Sequence, residues 1–563
     1  MSSKKRPVVP KRDVFEVGRP VITVKDCILL LILTILFAII VFINLGSHHV
    51  PETYGTYGKN TNTDLIIDFG DYIDVCKMHI FLGHESGRKI AISTYNEVTK
   101  EWIIIDDDFI ITSAFDWNTA DINYYLRYVG IVFLDDTADV NEIVFTAADG
   151  SILRPVNTDE YKELFDEEEY YPEYVTYMDG TYFDEIYHGR TAFEFIHHLK
   201  TYETTHPHIG KILISLGIRM FGMNPFGWRF SSAIMGILLI PFMYLFALRL
   251  TRKSLFAGIT TLLTVADFMH FSLSREATID AHVALFIIMM YYFMLAYLQE
   301  PDKDTKRAYT YLALSGISMG LGCGTKFTGV YAGLGLGIIF VIYTLKHFPK
   351  KTWKKLLVIC VTFFMAVPAL IYSLGFIPVV DGEKNLLTRV IVGTKSMFEY
   401  HSNLEATHYY GCPWYTWLYD GKPILESHEI VGDKISSISI MSNPLICWVI
   451  VPCIIYLAVR SFRKKDNKAA ILIIAYLAQL VPWIPISRVL FIYHYYPALL
   501  FGILIIGYTI SCIWNSYTSA LIIIYLIAVL LAFVYFYPAF SGHPVSSECL
   551  TRLKWLKDWV ITY

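Results

Sequence analysis

Eleven apolar stretches, each close to the roughly 20 residues a helix needs to cross hydrocarbon, constrain this chain more than any other feature. They fall at 25–46, 226–250, 255–272, 279–298, 308–325, 328–348, 355–376, 443–461, 467–485, 489–513 and 519–538. Lipid offers no water to backbone N–H and C=O groups, so each stretch must satisfy them internally, as a helix does. Composition agrees: 17% of the residues are charged, against about 25% in ordinary soluble domains. The expected fold is a polytopic α-helical membrane protein with about 11 transmembrane helices. A net charge of -4 argues against a nucleic-acid partner. The nine cysteines are scattered, with no CxxC pair, and imply neither a disulfide framework nor a zinc site.

Basic residues set the orientation. Lys4, Lys5, Arg6, Lys11 and Arg12 precede the first stretch, too long for a removed signal peptide and without its cleavage site. Arg249, Arg252 and Lys253 follow the second, and Lys303, Lys306 and Arg307 the fourth. "KHFPKKTWKK" follows the sixth and "RSFRKKDNK" the eighth. With eleven crossings all of these share one side, which the positive-inside rule makes cytoplasmic. Residues 1–24 are then a cytoplasmic segment ahead of a first transmembrane helix at 25–46. A transmembrane core runs over 226–538, with an outer loop at 377–442 and an amphipathic tail at 539–563, both extracytoplasmic in a multi-pass cell-membrane protein. "HIGKILISLGIRMFG", shorter and cationic at both ends, reads as an interfacial helix rather than a twelfth crossing.

Residues 47–157 change character. "KMHIFLG", "KIAISTYN", "EWIIIDDDF", "RYVGIVFLD" and "NEIVFTAADG" are short β-branched and aromatic runs between turn residues. They suggest an extracytoplasmic β-sandwich of jelly-roll or discoidin-like type. Such an insert could recognise a sugar or acceptor, or merely cover the membrane core. Residues 158–225 follow as an acidic linker and interfacial catalytic loop. Within it "DEYKELFDEEEYYPEY" reads as a hydrated, helical linker in preference to a cation site.

Chemistry gathers at the outer ends of the spans. In "TYFDEIYHGR", Asp184 and Glu185 open a stretch with apolar Phe183, Ile186, Phe193 and Ile196 at helical spacing, suited to lie along the membrane surface. A carboxylate in such a partly dry site can take a proton from a hydroxyl. "SREATID" puts Arg275 and Asp280 at a helix boundary, where charge is a functional candidate by default. Arg275 could meet a phosphate or Glu185, or form a structural ion pair. His206 and Lys211 of "THPHIGK" and Lys326 of "CGTKFTG" add polar groups at the same level, though Lys326 could simply snorkel to water. Gly316, Gly320, Gly322 and Gly324 suit close helix packing better than phosphate binding. His408, Trp414 and Trp417 suit either an interfacial belt or a sugar face. His494 reads equally as a sugar contact or a packed hydrogen-bonding histidine.

Taken in order, "FDE", "HPHIGK", "NPFGWR", "SREATID", "GTKFTG", "YH…THYYGCPWYTW" and "YHYYPAL" resemble the protein O-mannosyltransferases of the GT-C class, over about 178–500. His208 stands where that family usually has a second proline, and the MIR β-trefoil of its eukaryotic members is missing from 377–442. A β-rich insert in the first outer loop is similar to the bacterial phospholipid-carrier-dependent relatives. The resemblance implies inverting transfer of mannose from a polyprenyl-phosphate donor to a protein hydroxyl, with Asp184 as base and Arg275 essential. Lys211, Lys326, His206 and Asp280 would complete a donor site, and His408, Trp414 and His494 would contact acceptor or sugar. No cofactor or metal motif is evident; the partners expected are membrane lipid, the lipid-linked sugar and an exported protein or glycan. Transfer to a glycolipid or wall polymer is the nearest rival. A lipid-linked-sugar flippase would favour internal repeats and mid-span charge, and neither is present.

Overall fold

The computed structural model describes residues 18–59, 64–135, 137–347, 353–383 and 385–563. The basic residues Lys4 to Arg12 and part of "KHFPKKTWKK" lie outside the described residues.

The first helix, α1 (Val24–Phe42), starts at Thr23, whose hydroxyl accepts the Asp26 N–H, and most of its apolar surface stays exposed. Seven antiparallel strands follow: β1 (Gly55–Tyr57), β2 (Leu65–Leu82), β3 (Arg88–Asn96), β4 (Glu101–Ile111), β5 (Asp116–Phe133), β6 (Ala138–Thr146) and β7 (Ile152–Leu153). They form one sheet, ordered β1-β6-β2-β5-β3-β4, with β7 on β6. The expected two-sheet sandwich is corrected here. β2 and β5 are each 18 residues long, and their pairing is broken by register shifts between Asp68 and Ile73 and between Val75 and Lys77. Such irregularities bend a strand. A single sheet can thus enclose a core of Ile67, Met78, Ile80, Ile92, Ile131, Val140 and Phe145. The acidic stretch is no free helical linker either. It forms two 3-10 turns, Thr158–Leu164 and Glu168–Tyr170, and buries Leu164 in the sheet core.

Two short helices, α2 (Glu185–His197) and α3 (Ile209–Phe221), lie between the sheet and the helical bundle. Ile186, Phe193 and Ile196 pack on Ile214, Ile218 and Trp228, so this apolar stripe is covered by protein rather than lipid. The bundle then runs α4 (Pro225–Thr251), α5 (Ser254–Val265), α6 (Phe268–Leu273), α7 (Asp280–Leu298), α8 (Lys306–Cys323) and α9 (Thr328–His347). Next come α10 (Trp353–Val361), a π-turn (Thr362–Ala366), α11 (Val367–Leu374) and α12 (Leu386–Asn403). A hairpin of β8 (Ile424–Val431) and β9 (Lys434–Ile440) precedes α13 (Pro444–Lys464), α14 (Asn467–Leu480), α15 (Tyr496–Ile513), α16 (Thr518–Ser541) and α17 (Ser547–Arg552).

Every apolar stretch of the sequence is helical, yet seven helices among the described residues are long and apolar enough to cross a membrane. Three more, within α5, α9 and α14, are apolar but shorter. The stretch at 255–272 divides because the Asp267 carboxylate accepts the His270 N–H and starts α6. α8 mixes Gly, Ser, Thr and Tyr into its sequence. Those glycines serve close packing: a Cβ at Gly316 would lie 2.0 Å from the Phe363 carbonyl oxygen.

The bundle has two distinct ends. At one, Arg19 pairs with Glu300 beyond α7, Lys355 pairs with Asp304, and the Lys468 ammonium donates to the Leu250 carbonyl. At the other, the Arg275 guanidinium reaches the last carbonyls of α1, and the Gly542 N–H after α16 donates to Ser437 of the hairpin. The sheet belongs to this second end. The Thr181 hydroxyl donates to the Ala114 carbonyl at 2.9 Å and Arg190 to Ser86 at 3.3 Å, which clamps the segment carrying Asp184.

Candidate active site

The segment 180–185 is held from below as well as from the sheet. Arg229, wholly buried in the first turns of α4, grips Glu185 with both arms, Nε to Oε1 and Nη2 to Oε2 at 2.7 Å each. It also donates to the carbonyls of Leu45 and Gly180. Glu185 accepts three more bonds, from the Trp228 indole and from the N–H groups of Tyr182 and Ala277. A buried bidentate pair with five donors is a structural hub, because a charge in a dry interior must be matched fully. The expected pairing of Glu185 with Arg275 is corrected: the partner is Arg229.

Asp184 takes the opposite position. It occupies the N-cap site of α2, makes no capping hydrogen bond, and has no ion pair among the described residues. Burial, partly offset by Lys326 and His206, raises its pKa to about 6. A free carboxylate that titrates near neutrality is suited to accept a proton. Around it stand Lys326, bound to both oxygens of Asp280 at 2.8 and 3.0 Å and over the Tyr493 ring, and His206, kept neutral by burial with its pKa lowered to about 4. Lys326, Asp280 and His206 of the expected donor set therefore do converge on Asp184.

The remaining expected cations do not. Lys211 is wholly buried and closed off by the Glu203 carboxylate and carbonyl and by the His206 carbonyl. The Arg275 guanidinium faces the carbonyls of Val41, Ile43 and Asn44, where it satisfies orphan acceptors at the end of α1. Neither presents a free charge to a phosphate. Arg488 lies outside the set selected from the sequence. It is half-buried and without an ion pair among the described residues, and its pKa is lowered chiefly by burial. Lys326 and Arg488 each act electrostatically on His206. Arg488 also lines a cavity of about 380 Å³ with His408 and Trp414. His494 is packed between Trp417 and Trp483 and bonded to the Phe491 backbone, the bland alternative of the two weighed for it. Trp417 is itself buried, and neither belt nor sugar face.

Two further carboxyls escaped the sequence reading. Glu276, before α7, is 1% exposed, and Glu426 extends from β8; no donor reaches any of their four oxygens. The two groups are neighbours, and burial drives both pKa values well above the ordinary carboxyl range, followed by repulsion from Glu426 at Glu276 and from Asp184 at Glu426. Two carboxylates cannot bond each other unless one holds a proton. Sharing a proton is the arrangement that satisfies this pair. Glu426 belongs to a hairpin that the sequence reading treated as an aromatic loop, so nothing in its spacing pointed to Glu276.

Residues 220–380 match the family model "Dolichyl-phosphate-mannose-protein mannosyltransferase". Residues 386–559 match "C-terminal four TMM region of protein-O-mannosyltransferase". The chain is 24% identical over 435 residues to a polyprenol-phosphate-mannose–protein mannosyltransferase of Mycobacterium tuberculosis, covering 63% of this chain and 80% of the relative. A Mycolicibacterium smegmatis relative of the same description is 23% identical over 67% of this chain and 87% of its own length. The fold is similar to that of the Saccharomyces cerevisiae protein O-mannosyltransferase Pmt1–Pmt2 complex bound to the sugar donor. That match has a TM-score of 0.61 at 14% identity, over 68% of this chain and 89% of that one. Both family models begin after α2, so the sheet and Asp184 lie outside them.

Proposed function

The chain belongs to the protein O-mannosyltransferase family, and from that premise we propose that it transfers mannose from a polyprenyl-phosphate carrier to a serine or threonine hydroxyl of a protein. The observation that supports the mechanism is the Asp184 carboxylate, free of ion pairs among the described residues and acted on by Lys326 and His206. Asp184 takes the acceptor hydroxyl proton, and the hydroxyl oxygen forms a bond to the anomeric carbon from the face opposite the phosphate. The bond from that carbon to the phosphate oxygen breaks, its electron pair leaves with polyprenyl phosphate, and the configuration inverts. Lys326 and Arg488 balance the charge that gathers on the departing phosphate, the electrostatic work most such sites rely on. Glu185 and Arg275 do not touch substrate. They are positioning residues that hold 180–185 and the start of α7 in place.

The chain makes eleven crossings, four of them by helices that are short or mixed in composition, inside the protein-covered part of the bundle. The basic end is cytoplasmic under the positive-inside rule. The sheet, Asp184 and the tail at 539–563 are extracytoplasmic. Residues 47–157 form an insert that tunes acceptor choice, and 158–225 carries the catalytic loop.

Purified protein should move radiolabel from polyprenyl-phosphate mannose to a Ser/Thr-containing peptide, and Arg488→Ala should raise the donor KM at least tenfold while Arg275→Lys leaves it near normal. Label appearing in glycolipid and not in peptide would support the rival acceptor. An unchanged donor KM in Arg488→Ala would remove Arg488 from the phosphate site.

A further inference from the structure

A cavity of about 500 Å³ opens along the seam where the sheet meets the far end of α2, apart from the site just described. One wall is aromatic. Phe193 of α2 stacks on His84 of the β2–β3 turn at 5.9 Å and 26°, and Phe115 of the β4–β5 turn meets it edge-on at 5.2 Å. A second wall is built of acceptors: the carboxylates of Glu52 and Asp139, the latter 3.7 Å from the His84 ring nitrogen, and the side-chain carbonyl of Asn141. Asn141 is 7% exposed, and its Oδ1 has no donor at all, while its amide nitrogen is engaged by the Pro51 carbonyl. Leaving such an acceptor dry and unmatched costs free energy, so the site is completed by an incoming O–H or N–H. Glycine at 83 keeps that acceptor open, since a Cβ there would lie 3.0 Å from Oδ1.

The lining selects its ligand by charge. It holds two carboxylates, no lysine and no arginine, and burial holds His84 neutral. A phosphate or carboxylate ligand would be repelled. A ligand with several hydroxyl donors and one apolar C–H face fits both walls, which is the chemistry of a hexose. A few placed polar groups on a mainly apolar, preformed cavity of this size are typical of small-ligand sites.

We propose that the seam cavity binds a hexose unit carried by an acceptor that has already been mannosylated. That the hexose is mannose rests on the transferase reading above; that the cavity takes a sugar does not. Asp184 and Phe193 stand at opposite ends of α2, about 13 Å apart along its axis at 1.5 Å per residue. An extended acceptor spans that distance in about four residues. The cavity therefore favours a new hydroxyl at least about four residues from a sugar already in place.

The test uses the full chain in lipid nanodiscs. Saturation-transfer NMR with methyl α-mannopyranoside reads binding without needing turnover. Transfer kinetics compare one peptide with its premannosylated form. The wild type should bind the mannoside saturably, and both Asn141→Ala and the milder rim change Glu52→Gln should weaken it at least tenfold at an unaltered melting temperature. Asp184→Asn should bind it normally. In kinetics, Asn141→Ala should raise KM tenfold for the premannosylated peptide and leave the plain peptide unaffected. Absence of mannoside binding to the wild type overturns the proposal. So does binding that survives both seam variants, or capture at the seam of a lysine-rich peptide in place of the sugar. If no transfer occurs while mannoside still binds at the seam, the transferase reading fails and the sugar site stands.

Discussion

Asp184 and Glu185 are adjacent in sequence and opposite in environment. Glu185 is committed to Arg229 and three other donors, the Trp228 indole and the N–H groups of Tyr182 and Ala277. Asp184 has no such commitment, and burial alone makes its proton exchangeable near pH 6. The sign of its pH dependence follows: the base works as a carboxylate, so transfer rises as pH climbs through about 6 and levels off above it. Asp184→Asn keeps the shape and loses the proton acceptor. Single-turnover transfer at saturating donor should fall by about 10²–10⁴-fold, and the step near pH 6 should vanish. A wild-type rate in that variant would pass the role to another group. The sequence showed the carboxyl pair, because two acids in an apolar stretch stand out. It did not show which arginine serves Glu185, since a buried partner is chosen by how α4 and the α6–α7 turn pack. Lys211 and Arg275 were misjudged for the same reason: charge is written in the sequence, but whether backbone carbonyls consume it is not.

At the scale of elements, the β8–β9 hairpin is the least expected part of the site. Its strands carry "ILESHEIV" and "KISSISI", whose alternation is diluted by serines that are buried here because the C-terminal tail covers them, as in the bond from the Ser437 hydroxyl to the Ile561 carbonyl. Tertiary cover of this kind overrides local pattern. The hairpin brings Glu426 to Glu276, and the raised folded pKa values of both have a definite consequence. Carboxyls that hold protons more tightly when folded stabilise the protein fully below their unfolded pKa of about 4.3. That contribution is lost as pH rises through the folded values. Glu426→Gln removes one titrating member and keeps a hydrogen-bonding side chain. Its stability relative to wild type, read as a difference in melting temperature, should therefore rise progressively as pH climbs above about 5. A constant difference across that range would mean the two carboxyls do not share a proton. The helices were far more legible than the hairpin, because a run of apolar residues in lipid has one satisfactory structure.

Over the whole molecule, sidedness organises everything else. The connections that contain Arg252 and Lys253, Lys303 and Lys306, and Lys464 and Lys465 gather at the end of the bundle where Arg19 meets Glu300. The sheet, the Asp184 segment, the hairpin and the tail gather at the other, the tail fastened there by the Trp559 indole on the Asp420 carbonyl and by Tyr563 on Tyr410. A chain whose two termini lie at opposite ends of a bundle must traverse it an odd number of times. Seven long helices alone would satisfy that parity, and so would eleven passes. The sequence gives the larger number by counting apolar windows, and the distinction lies in α5, α8, α9 and α14, whose length or composition falls short of a span. Short or polar helices are tolerated at membrane depth where neighbouring protein, not lipid, surrounds them. Sidedness by itself does not depend on the count, but the assignment of each connection does. A reporter fused after Tyr563 should be extracytoplasmic, and reporters placed in the α4–α5, α7–α8 and α13–α14 connections should all be cytoplasmic. Engineered cysteines in those three connections should resist a membrane-impermeant thiol reagent in intact cells and react after permeabilisation. Labelling of any one of them in intact cells would break the eleven-pass reading.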